Sequence, residues 1–164
     1  MNLSNVNALS TEAFVTEFGD VAEHSPWVAR AAAQHRPFAS RQAMVDAFSA
    51  AVTAATSGDQ LTLIRAHPDL ATKTKLTEDS TNEQAGAGLS TLSREEFARF
   101  TRLNDLYKSR FGFPFIFAVK GATKHQILTS FEHRVNASPA DEFAMAVSQI
   151  CRIFRFRIED RVSS

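Results

Sequence analysis

Apolar residues recur along most of this chain with the spacing of helices. After Ser10, Phe14 and Phe18 fall four apart, and after Ser40 the residues Met44, Val45, Phe48 and Val52 mark one face of a 3.6-residue period. Leu61 and Ile64 belong to a short helix that begins at Asp59 and that Pro68 ends. Ser93 and Glu96 have the spacing of a capping box, and Phe97, Phe100, Leu103, Tyr107 and Phe111 form the stripe behind it, stopped by Gly112. Thr123 opens a helix carrying Ile127, Leu128, Phe131 and Val135. Ser138-Pro139 opens the last one, with Phe143, Val147, Ile150 and Phe154. A hydroxyl before each start is the expected signature, because its oxygen accepts one of the first, otherwise unpaired, helical N–H groups. Ser25-Pro26 adds a proline at a first helical position, where its missing N–H costs nothing.

Two stretches break the pattern. Phe113 to Val119 reads as extended, but one strand has no partner here, so it is expected as an irregular wall between helices. Ala71 to Leu92 has no clear stripe and is rich in Thr, Ser, Asn and Gly; long unpatterned stretches in compact domains are usually functional or disordered. Part of it can form a helix capped by Ser80, which would give Glu83 a purely structural place at the third position of a capping box. The expectation is an all-α fold, one compact domain over residues 1–164, a length that buries roughly 70% of the unfolded chain's surface.

Charge and cysteine usage narrow the function. Eighteen basic and eighteen acidic residues cancel, so no global field draws the protein to nucleic acid or an anionic membrane; Glu159 and Asp160 interrupt the one arginine cluster, Arg152 to Arg161. A small ligand is expected instead. Cys151 is the single cysteine, so no internal disulfide forms, and no Cys/His spacing matches a zinc site. Residues 1 to 10 lack a signal peptide's pattern, no apolar run nears the ~20 residues that span a bilayer, and the tail is not a peroxisomal Ser-Lys-Leu. A cytoplasmic protein is expected. Gly86 and Gly88 do not make a nucleotide loop, and no serine sits in a nucleophile elbow.

Of five histidines, His67 stands apart. Pro68 ends the preceding helix and holds His67's own backbone extended, so the ring projects from a corner into whatever lies beside it. An imidazole gives and takes protons near neutrality without much tuning. The other four lie beside helix ends (His24, His35) or among charged neighbours (His125, His133) and read as solvated or capping groups. Arg157 is the second candidate. Steps of seven from Phe143 reach Ile150 and then Arg157, which puts a guanidinium on an apolar stripe. It is paired with a protein carboxylate, reserved for an anionic ligand, or simply wet because the helix end has left the core.

Three segments, His67-Pro68-Asp69-Leu70, Ser80-Thr81-Asn82-Glu83-Gln84-Ala85-Gly86-Ala87-Gly88-Leu89 and Phe111-Gly112-Phe113-Pro114-Phe115, together resemble the family of 2-oxo-4-hydroxy-4-carboxy-5-ureidoimidazoline (OHCU) decarboxylases of urate degradation. The resemblance runs from Ser25-Pro26-Trp27 to the last helix. It implies a carboxy-lyase that forms (S)-allantoin without metal or other cofactor, with His67 as acid and base and Glu83 beside it. It further implies substrate contacts from Pro68, Ser80, Gln84, Arg157 and the backbone of Phe115, Ile116, Phe117, Ala118 and Val119, and a homodimer. Two other readings stay open on the residues alone: a helical interaction module without catalysis, and a hydrolase of a related ureide.

Overall fold

In the computed structural model, which describes residues 1–72 and 77–164, the all-α expectation holds: among the described residues there are nine helices and no strand. They are α1 (Leu3–Ala8), α2 (Thr11–Phe18), α3 (Trp27–Ala33), α4 (Arg41–Thr53), α5 (Ser57–Ala66), α6 (Glu78–Gly86), α7 (Arg94–Phe111), α8 (Lys124–Arg134) and α9 (Pro139–Arg161). The chain divides into two compact units, one of Met1–Ala66 with Ile150–Ser164, the other of His67–Gln149.

The caps explain most of the starts. Ser10, Ser40, Ser93 and Thr123 each accept a backbone N–H three residues on, and both α7 and α8 open with complete capping boxes, closed by Glu96 and Gln126. Gly112 ends α7 with φ 77°, a left-handed position that a side chain resists. Four starts differ from expectation, the first by one residue: helix α3 begins at Trp27, and Pro26, expected at its first position, is the N-cap. Helix α1 was hidden by its shortness; the Asn2 side chain caps it and only Val6 is buried. Helix α5 begins at Ser57 instead of Asp59, since the Thr56 hydroxyl accepts the Asp59 N–H at 3.1 Å. Helix α6 is capped by Thr77, not Ser80: the Thr77 side chain accepts the N–H of Ser80.

In the first unit the core gathers around Phe14, whose ring lies 5.0 Å from Phe18, 6.1 Å from Phe38 and 6.2 Å from Phe48, with Phe154 edge-on to Phe48. In the second it gathers around the fully buried Tyr107, ringed by Phe111, Phe113, Phe115 and Phe131. Burial of each such ring contributes about 1.5–3 kcal/mol, so these clusters fix where the helices sit.

Candidate active site

Within the second unit, three side chains grip three of the four residues that follow His67. The Gln84 side-chain oxygen accepts the Ala71 N–H at 3.0 Å, the Asn104 amide donates to the Leu70 carbonyl at 2.8 Å, and Lys108 Nζ pairs with the Asp69 carboxylate at 2.7 Å. Helices α6 and α7 thus hold the Pro68–Ala71 turn, in which Ala71 takes φ 55°. His67 itself is 7% exposed, whereas His24, His35, His125 and His133 are all exposed. Asp69 faces Lys108, so a role in orienting the imidazole as in a Ser-His-Asp triad has no support. A cavity of about 440 Å³ adjoins the same turn, walled in part by Asp69, Ala71, Thr72 and Asn104.

Helix α6 carries Ser80, Glu83 and Gln84. Since Thr77 is the cap, Ser80 occupies the third helical position and Glu83 lies beyond the first turn, where capping needs no carboxylate. The capping explanation for Glu83 is thereby removed. Glu83 is half-buried; Ser80 and Gln84 are buried, at 4% and 7% exposure. Gln84 is occupied in part by the turn, through Ala71 and a longer contact of its amide to the Asp69 carbonyl at 3.5 Å. Residues 73–76 of the unpatterned stretch lie outside the described residues.

The run from Pro114 to Val119 is neither helix nor turn, in keeping with an irregular wall. Phe115, Ile116, Ala118 and Val119 are buried, while Phe117 is half-buried. Several backbone groups here are engaged within the protein: the Ile116 carbonyl accepts from Arg134, the Ala118 N–H donates to Gln149, and the Val119 carbonyl accepts from Ala122. Phe115 packs in the core, its ring stacked on Phe131 at 3.9 Å and 8°.

Arg157 lies in the first unit. It is 3% exposed, which excludes the solvated reading, and it has a carboxylate partner: Nη2 donates to Glu23 at 2.8 Å and Nη1 to the Val21 carbonyl at 3.1 Å. Glu23 is itself 1% exposed, and its own carbonyl accepts the Ser25 hydroxyl. The sequence reading missed Glu23 and Asn104. Asn104 had a usable signal, a polar residue four beyond Phe100 on the apolar stripe of α7; Glu23 stands between helices, where periodicity says nothing. Among the described residues no three of His, Cys, Asp and Glu gather as metal ligands would, and no helix is long and apolar enough to cross a membrane.

The chain is similar to known proteins in both sequence and fold. A family model described as OHCU decarboxylase matches residues 7–159. The chain is 43% identical over 164 residues to the 2-oxo-4-hydroxy-4-carboxy-5-ureidoimidazoline decarboxylase of Haloferax volcanii, an alignment covering 100% of this chain and 98% of that protein. It is 39% identical over 161 residues to the uric acid degradation bifunctional protein PucL of Bacillus subtilis, covering 98% of this chain and 33% of that longer one. A crystal structure of (S)-allantoin synthase superposes with a TM-score of 0.83 at 27% identity, over 100% of this chain and 55% of that chain.

Proposed function

The chain belongs to the OHCU decarboxylase family, and from that premise we propose that His67 and Glu83 carry the proton chemistry of its reaction. The reaction is the decarboxylation of OHCU, a carbon–carbon lyase step of urate degradation that yields (S)-allantoin and carbon dioxide. The substrate holds a carboxylate and a hydroxyl on one ring carbon, next to a carbon–nitrogen double bond. As carbon dioxide leaves, the electrons of the broken bond flow into that double bond, so the substrate supplies its own electron sink and the proposal uses no cofactor.

The protein's part is then to orient the molecule, exchange a proton at one place and protonate one face. His67 exchanges a proton with the substrate hydroxyl or the enediol-like intermediate, and Glu83 orients the imidazole or a ring N–H; help of this kind is worth typically ~10²–10⁴-fold. Ser80, Gln84 and the backbone of Pro68 and Phe115 to Val119 hold the ureido and ring amides. Arg157, its plane set by Glu23 and Val21, donates to substrate oxygens; a guanidinium fixed on the carboxylate alone would stabilise the ground state more than the transition state, so other oxygens belong to its targets too. One family domain over residues 1–164, a homodimer and a cytoplasmic location complete the proposal.

The observation that carries this reading is the contrast among the histidines: His67 alone of the five is buried, on a corner to which α6, the helix of Glu83, is bonded through Gln84. The test generates OHCU in situ from urate by oxidation and hydrolysis, then follows its ultraviolet signal, carbon dioxide and the optical activity of allantoin. Faster loss of the signal with optically active (S)-allantoin as the product supports the reading. Racemic allantoin formed at the spontaneous rate contradicts it.

A further inference from the structure

Behind the 115–119 segment lies a buried polar cluster that the chemistry above does not use. Glu142, 2% exposed, accepts two donors on one oxygen, the Tyr107 hydroxyl at 2.6 Å and Nε of Arg134 at 2.8 Å, and Nη2 of Arg134 stands at ion-pair distance from the same oxygen, 2.8 Å, without the geometry of a hydrogen bond. Arg134, 7% exposed, then directs Nη1 to the Ile116 carbonyl at 2.8 Å, and its guanidinium carbon stands 4.3 Å over the Phe115 ring. Two residues further along the segment, the Ala118 N–H donates to the Gln149 side-chain oxygen at 2.9 Å.

Stability alone does not explain the cluster, because a buried ion pair replaced by well-packed apolar side chains is often no less stable. What the cluster does uniquely is place backbone. Arg134 and Gln149 thus tie down one backbone group on each side of Phe117, the Ile116 carbonyl before it and the Ala118 N–H after it. Phe117 is the one residue of Phe115 to Val119 that is not buried, and among the described residues no protein group bonds its backbone.

We infer that Arg134 and Gln149 are positioning residues for decarboxylation: they fix the register of the 115–119 backbone from behind, with Glu142 and Tyr107 locking the guanidinium plane. The inference rests on the reading that this segment binds substrate. The planar fork is essential to it, since two of the guanidinium's nitrogens, Nε and Nη1, donate one to a carboxylate and the other to a carbonyl, and an ammonium offers one centre for both. The Tyr107 hydroxyl stays a donor throughout, as burial and the adjacent Glu142 carboxylate push its pKa upward.

The test compares Gln149→Leu, Gln149→Glu and Arg134→Lys in the full chain. Gln149→Leu removes the acceptor at a half-buried position and should lower kcat/KM by about tenfold to a hundredfold, the scale of a small misplacement of bound substrate, with KM raised and the melting temperature nearly unchanged. Gln149→Glu keeps an acceptor oxygen and should restore most of the activity. Arg134→Lys should raise KM in the fraction that folds. Full activity of folded Gln149→Leu, or equal loss in Gln149→Leu and Gln149→Glu, overturns the inference. Amide deuterium exchange with excess (S)-allantoin separates the two levels. Protection of residues 115–119 in the wild type upholds the segment as a binding element, so that normal kinetics in Gln149→Leu would count against the positioning role alone. No protection in the wild type removes the segment from the site, and the positioning role with it.

Discussion

The side-chain oxygen of Gln84 accepts the backbone N–H of Ala71 at 3.0 Å, which joins the helix of Glu83 to the turn that leaves His67. The contact is buried and the turn is strained, since Ala71 adopts φ 55° without being glycine. Gln84→Leu leaves that N–H without its acceptor and should cost about 1–3 kcal/mol. Gln84→Glu keeps the acceptor and should recover most of it. Urea denaturation checks both, as a lowered midpoint with unchanged slope.

Glu23 is the counter-charge that makes a buried Arg157 tolerable. Glu23→Ala should destabilise the fold by about 3–5 kcal/mol, because the guanidinium is left without compensation in the interior. Thermal melting of the two single variants and of Glu23→Ala with Arg157→Ala gives the coupling directly; a double variant less damaged than Glu23→Ala alone is the expected outcome.

Glu96 gives a dependence on acid. Its bond to Lys124 comes first and the capping-box bond from Ser93 second, and together they lower its pKa from the usual 4.5 to about 2. Between those values the unfolded chain binds the proton and the folded chain does not, so the contribution is complete above pH 4.5 and is lost as pH falls through about 2. Glu96→Gln keeps the cap's amide-oxygen acceptor and removes the charge. The stability gap between wild type and Glu96→Gln should therefore close on acidification from pH 4.5 toward 2.

Cys151 should be a slow thiol. Burial raises its pKa, outweighing a hydrogen bond with Ser49 that lowers it. Alkylation by iodoacetamide near neutral pH should proceed far more slowly in the native protein than in urea, and mass spectrometry of the modified fraction measures the ratio.

The long helices were legible because their signals are local. The stripe of α7 and the caps at Ser10, Ser40, Ser93 and Thr123 act within one or two turns. What the chain hid depends on contacts distant in sequence or on competition between neighbours. Thr77 and Ser80 were both plausible caps for α6, and the choice of Thr77 changed the meaning of Glu83 from capping residue to one needing another explanation. Arg157 announced a buried charge through its register, yet its partner Glu23 lies 134 residues away in a segment with no periodicity. Arg134 and Glu142, at opposite ends of two helices, gave no sign that they meet over Phe115. The corner at His67 was visible from Pro68 alone; the side chains of Gln84, Asn104 and Lys108 that hold its outgoing turn were not.

Single-turnover decarboxylation by His67→Ala, on OHCU made in situ and with folding checked by circular dichroism, tests the proton-transfer role most directly. A fall of about 10²–10⁴-fold in the chemical step, with the helical spectrum unchanged, is the expected result. Wild-type turnover in the folded variant would contradict it.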